Sequence, residues 1–292
     1  MLNRSLSDYK KNIYSQGGED GVIDKIFEII HKGDNWCVEF GAADGEYLSN
    51  TKNLIQNKGY SAVLIEGDKK EYNNLEKYYY SKNNVITINK YIDITNNSID
   101  KILEKTPIPI DFDFLSIDID GNDYYIWESL NHYKPKVICI EFNPTIPNEV
   151  HFVQPYDPKI SQGTSLLPLI ELAARKGYKL VSILSINAFF VKEEYYHLFG
   201  MQDNSLVTLR KDLKAVTYLF SGYDGKIILS GSQKLPWHRI QINNKKVQIL
   251  PAILQKYPPR YNILEKLFYF IYMLIYAPKI MINRLKDKII NV

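Results

Sequence analysis

Carboxylates placed one by one at the ends of short apolar runs are the chemistry-bearing residues of this chain. Glu39 lies at the end of the run 36–40, Glu66 follows 61–65, Asp118 and Asp120 follow 112–117, and Glu141 sits in 136–142. Strand alternation puts Asp118 and Asp120 on one side if the strand continues that far. Two unpaired acids so close repel one another, and a metal, a cation or a raised pKa must compensate. Carboxylate and amide oxygens are hard ligands, so Asp118, Asp120 and Glu141, followed by Asn143, are candidate ligands for Mg2+ or Ca2+. Without a metal, Asp118 orients cofactor and substrate, Asp120 and Asp123 shape a turn and a helix N-cap, and Glu141 is a base or a structural acid. The candidate bases are Asp120, Glu141, His151 and His238. His151 lies in a loop bounded by Pro147 and Pro155, and His238 adjoins Trp237, whose ring suits stacking on a flat apolar face. Each histidine also reads as an ordinary solvated loop residue.

The run ending at Glu39 breaks into Gly41-Ala42-Ala43-Asp44-Gly45, a turn nearly free of side chains. Such a turn lets a ligand approach the backbone. Dinucleotide sites use G-x-G-x-x-G, because their pyrophosphate rests on a helix N-terminus. Here the pattern is E-x-G-x-A-x-G. A carboxylate before the first glycine repels pyrophosphate and suits the ammonium of an amino-acid-bearing cofactor, which points to S-adenosylmethionine (SAM). Glu66 comes 21 positions after Gly45, at the distance where an acid accepts hydrogen bonds from ribose hydroxyls. Asp68, just before a helical stretch, fits a helix N-cap instead. The expected cofactor residues are Gln16, Glu39, Gly41, Ala42, Asp44, Gly45, Glu66, Gly67 and Asp118; a structural hairpin is the alternative for the glycine turn.

Val38-Glu39-Phe40-Gly41, Ile65-Glu66-Gly67, Phe114-Leu115-Ser116-Ile117-Asp118 and Tyr14-Ser15-Gln16-Gly17-Gly18-Glu19-Asp20 together resemble class I SAM-dependent methyltransferases of the FkbM type. The resemblance covers about residues 12–195 and departs at Ala43, where a glycine is usual. It implies O-methylation, commonly of sugars in glycans or glycosylated natural products, and so a saccharide partner and surface-glycan biosynthesis. Some sugar O-methyltransferases use a metal, which would bind two sugar hydroxyls and lower the pKa of the one to be methylated. The resemblance also implies that the turn 15–20 closes over the methionine end of the cofactor through its backbone amides and Gln16. From the residues alone, that turn is equally an N-cap with acids in the first helical turn.

The elements that must position these groups alternate. Helical patterns at 21–30, 47–57, 69–80, 97–104, 124–133 and 165–176 interleave with apolar runs at 36–40, 61–65, 85–88, 112–117 and 136–142. Alternation of this kind predicts an α/β fold with a Rossmann-like, mostly parallel sheet. The runs 178–184 and 188–192 would form a hairpin that supplies an antiparallel edge strand. Ligands of such sheets bind beyond the carboxyl ends of the strands, where every motif above lies. Three regions follow: a methyltransferase domain over 1–195, an irregular appendage over 196–259 that could cover the substrate, and an apolar and basic helical tail over 260–292.

A chain of 292 residues with 45% hydrophobic residues has ample material for a core. Its formal net charge of +3 is too small to indicate nucleic acid. Cys37 and Cys139 sit inside apolar strand patterns and fit a reducing cytosol. The polar stretch 1–11 predicts no signal peptide. The run 267–277 is apolar all round and shorter than the ~20 residues a spanning helix needs. Lys266, Lys279, Arg284, Lys286 and Lys288 flank it. That pattern predicts peripheral attachment to the inner face of the membrane, with burial in the domain or in a homodimer interface as the alternative.

Overall fold

The computed structural model describes residues 5–31 and 33–280. The chain forms two compact units, Met1–Leu213 and Lys214–Val292.

The first unit opens with α1 (Glu19–Ile30), then β1 (Trp36–Phe40), α2 (Lys52–Lys58), β2 (Ser61–Glu66), α3 (Lys69–Tyr79), β3 (Val85–Asn89) and α4 (Ile99–Leu103). It continues with β4 (Phe114–Ile117), α5 (Asp123–Ser129), β5 (Val137–Glu141), α6 (Leu166–Arg175), β6 (Tyr178–Ile183) and β7 (Asn187–Lys192). Two single-turn helices, α7 (Glu193–Tyr196) and α8 (Leu206–Leu209), close it. The seven strands form one Rossmann-like sheet in the order β3-β2-β1-β4-β5-β7-β6. All neighbours are parallel except at β7, which runs antiparallel to both β5 and β6. The expected hairpin is present, and its return strand inserts beside β5.

Both faces of the sheet are buried, which explains why its strands read as continuous apolar runs. Val38, Phe40, Leu115, Ile117, Ile138 and Ile140 pack under α4, α5 and α6. The alternate residues, among them Cys37, Leu64, Phe114 and Cys139, pack under α1, α2 and α3. Both cysteines are free and buried, and burial pushes their thiols well up, so they act as small apolar groups. The chain order reverses between β1 and β4, and that switch point is where an α/β sheet opens a crevice.

Two boundaries differ from the sequence reading for clear reasons. The helix expected from 47 starts only at Lys52, because buried Glu39 captures residues 49–51. Residues 196–213 join the first unit, since Phe199 and Leu206 enter its core and Arg210 clamps the loop after β5.

The second unit contains two small hairpins, β8 (Thr217–Ser221) with β9 (Ile227–Gly231) and β10 (Lys234–Leu235) with β11 (Ile240–Gln241), followed by α9 (Ile263–Tyr276). No helix among the described residues is long and apolar enough to cross a membrane. Arg284, Lys286 and Lys288 lie outside the described residues.

Candidate active site

The loops that leave the carboxyl ends of β1, β2, β4 and β5 carry the acids and are bound to one another. The loop after β1 is anchored from below. Glu39 is buried, and its carboxylate accepts from Ser49 Oγ at 2.7 Å, Asn50 N at 2.8 Å and Thr51 Oγ1 at 2.6 Å. Asn50 then donates to Ser116 Oγ of β4 at 3.0 Å. Burial pushes the Glu39 carboxyl up while these hydrogen bonds pull against it. Its oxygens shape the loop after β1 from beneath.

The glycines are likewise used by the protein itself. Gly41 has φ +63°, and a Cβ there would sit 1.9 Å from the Asp118 carbonyl oxygen. A Cβ at Gly45 would meet Leu75 and Tyr79, and one at Gly67 would meet the Tyr91 ring at 2.3 Å. The absence of side chains therefore lets loops and α3 close on one another, where the sequence suggested room for a ligand. Asp44 Oδ1 accepts from Glu46 N at 2.9 Å and Tyr47 N at 2.8 Å, folding its own turn.

Glu66 joins two of the loops. Its Oε2 accepts from Ala43 N at 2.8 Å and its Oε1 from Asp68 N at 2.7 Å. Each oxygen keeps a second lone pair, and the side chain is half-buried at the end of β2, so acceptance from a ribose diol remains open to it. Ala42 N donates to Ile65 O at 3.2 Å, pinning the turn against β2. Asp68 caps α3 by accepting from the amides of Lys70 and Glu71, as its position suggested.

Asp118, Asp120 and Glu141 come together at the ends of β4 and β5, each offering an oxygen within 4.8 Å of the others. Asp118 and Glu141 face each other, and both carboxyls are pushed well above the ordinary range. Desolvation is the first cause for each. For Asp118 repulsion from Asp123 comes next, and for Glu141 repulsion from Asp118. Two half-buried carboxyls so close resist ionising together. Asp120 is exposed, in the left-handed region at φ +56°. Asp123 is fully buried and folds the intervening loop by accepting from Ile119 N and Gly121 N, both at 2.9 Å. Burial raises its carboxyl to about 6 against these hydrogen bonds.

The remaining candidates separate. His151 is exposed and pairs with Glu171 of α6 at 3.1 Å, so its ring is engaged on the surface. His238 belongs to the second unit, in the turn between β10 and β11. Gln16 is exposed and, with Lys10, Lys11, Asn12, Gly17 and Gly18, lines an open recess of about 350 Å³. The turn around it is wired by two buried acids. Asp20 Oδ2 accepts from the backbone N–H groups of Ile13, Tyr14 and Ser15, each at 2.8 Å. Glu19 accepts from Gly17 N at 2.6 Å and from Asn187 Nδ2 at 3.0 Å.

Three contributors were invisible in the sequence. Asn187 starts β7 opposite Glu141 in the ladder, and its buried Oδ1 has no hydrogen-bond partner. Gln154 is buried, accepts from Gln162 N and Gly163 N at 2.8 Å each, and donates to Ile160 O at 2.8 Å and Asn122 Oδ1 at 3.1 Å. Arg210 stacks over Phe142 and donates to Pro144 O, Ile146 O and Asn148 Oδ1. A lone polar residue in an aperiodic segment leaves no pattern to read; for Gln154 the flanking Pro155 hinted only at a loop.

Residues 28–180 match the family model of the methyltransferase FkbM domain. No curated protein matches the chain. Among solved structures, the N-terminal domain of EvdMO1 in the presence of SAH and D-fucose is 12% identical, with 59% of this chain and 80% of that chain covered and a TM-score of 0.39. A SAM-dependent methyltransferase from Aquifex aeolicus is 15% identical over 58% of this chain and 87% of that one, with a TM-score of 0.35. Magnesium protoporphyrin IX methyltransferase from Synechocystis PCC 6803 with bound SAH is 11% identical over 60% and 81%, with a TM-score of 0.40.

Proposed function

The chain belongs to the FkbM methyltransferase family, and from that premise we propose that it methylates a hydroxyl of a saccharide, with SAM as donor, in the building of a surface glycan. The observation that carries this reading is the Asp118–Glu141 pair, two half-buried carboxyls brought together at the ends of β4 and β5 and raised by desolvation and mutual repulsion.

The residues present fit the donor. Glu66 has acceptor capacity for a ribose diol. Asn187 Oδ1 is a buried acceptor lacking a donor, next to Glu19, which suits the ammonium of an amino-acid end. SAM supplies an electrophilic methyl on a positively charged sulfur. An in-line attack by the hydroxyl oxygen forms the O–CH3 bond as the S–CH3 bond breaks, and the hydroxyl proton must leave. The unprotonated member of the Asp118–Glu141 pair takes that proton, and its raised pKa makes it a better base than an exposed carboxylate. Several carboxylate oxygens at one edge also suit a substrate rich in hydroxyl donors, as a saccharide is.

The carboxylate set would also fit a divalent ion of the Mg2+ class. Such an ion would relieve the same repulsion that a proton relieves, and turnover unchanged by EDTA is the outcome expected if a proton does so. The test is methyl transfer from labelled SAM to nucleotide sugars and glycan fractions by the full chain and by Glu141→Gln. Transfer to a saccharide that drops roughly 10²–10⁴-fold in the variant supports the proposal. Transfer confined to non-sugar or lipid acceptors overturns the saccharide, and loss of activity with EDTA overturns the proton-only account.

A further inference from the structure

Helix α9 is inside out. Its 14 residues, Ile263–Tyr276, contain two charged side chains, Glu265 and Lys266. Glu265 is the most buried residue of the helix at 5% exposure, whereas Ile263 is 84% exposed. The residues of the helix that turn from solvent are Glu265, Tyr269, Tyr272 and Met273, mostly polar or hydroxyl-bearing. Glu265 accepts from Lys256 and completes the capping box with Asn262. Tyr269 packs on Tyr261, and Tyr272 donates its hydroxyl to Ile249 O at 2.6 Å. The opposite face presents Leu264, Leu267, Phe268, Ile271, Leu274 and Ile275 to solvent.

A helix at a water boundary normally buries its apolar stripe and exposes its charges. The reversed order has one physical sense: the outward medium is itself apolar. At 1.5 Å per residue the helix is roughly 21 Å long, short of the ~30 Å hydrocarbon core of a bilayer, so it does not span one. The charge around it selects among apolar partners. Lys266 lies on the helix and Lys279 just beyond Pro278, and the sequence adds Arg284, Lys286 and Lys288 against Asp287. A second copy of the chain would bring Lys266 and Lys279 against like charges, whereas an anionic lipid surface complements them.

We propose that α9 is a monotopic membrane anchor, lying in the plane of an anionic leaflet with its Leu/Ile/Phe face in the acyl region and its basic neighbours at the headgroups. The proposal stands on the second unit alone and is independent of the saccharide reading.

Flotation of the full chain with vesicles of phosphatidylglycerol and phosphatidylcholine, against pure phosphatidylcholine, tests it. The protein is expected to float with the anionic vesicles, less so as salt rises. Leu267→Glu/Ile271→Glu, on the outward face, is expected to weaken flotation by about tenfold or more while binding SAH as the parent does. Protein that stays soluble with both vesicles overturns the proposal. So does a concentration-dependent dimer that the double variant dissociates without any vesicle binding. Unchanged flotation by the double variant overturns it as well.

Discussion

At the scale of single residues, the acids of this chain divide by how their charge is satisfied. Asp113, at the opposite end of β4, receives Gly33 N, Asn35 N and the Lys136 ammonium, and it is structural. Glu39 is likewise held by local donors, and Asp20 Oδ2 by three backbone N–H groups. Asp118 and Glu141 have each other, and that is a cost to folding when both ionise. In the folded state their carboxyls are raised, so the stability they contribute is fully present below the ordinary carboxylate range near pH 4 and is lost as pH rises through the folded-state values. Glu141→Gln removes one titrating partner and the repulsion. Its thermal midpoint is therefore expected to exceed the parent's by a few degrees at about pH 8, with the gain shrinking toward pH 4, as it loses turnover. A melting series across that range checks it: a variant less stable than the parent at high pH would mean that Glu141 stabilises the fold as a charge.

At the scale of elements, the strands bring the acids to one edge and the loops decide their geometry. Gln154 illustrates the division. Its side-chain hydrogen bonds tie the long loop after β5 to itself and to Asn122, in the loop that carries Asp118 and Asp120. Gln154→Ala takes the partner from the part-buried Gln162 and Gly163 N–H groups and the Ile160 carbonyl, a loss of about 1–3 kcal/mol by denaturation. Transfer is expected to fall further than stability accounts for, because the β4 and β5 loops lose their mutual register. Affinity for SAH should change little, since the Glu66 and Asn187 positions are untouched. Equal loss of donor affinity, read by calorimetry, would show that the loop after β5 also forms the donor pocket.

At the scale of the molecule, both faces of the sheet core and every acid of the candidate site belong to the first unit. A chain ended after Leu213 is expected to keep a cooperative melt and SAH binding. Methyl transfer by that truncated chain would also eliminate His238 as the base. Failure of the fragment to fold in a melting experiment would mean that the second unit completes the core.

The α/β alternation, the mostly parallel sheet and the identity of the acidic strand ends were legible in the amino-acid order, because burial on both faces imposes unbroken apolar runs and each run ends where solvent begins. The roles of those acids were not legible. Glu39 and Glu141 each end an apolar run, yet Glu39 meets Ser49, Asn50 and Thr51 while Glu141 meets Asp118. A carboxylate's function depends on what the fold brings within hydrogen-bond reach. For Gly41, the need for no side chain was readable, but its cause, the Asp118 carbonyl of a strand far along the chain, existed only once β1 and β4 paired. The apolar character of 267–277 was plain in one dimension; that its apolar face points outward, with Glu265 inward, was decided by tertiary packing alone.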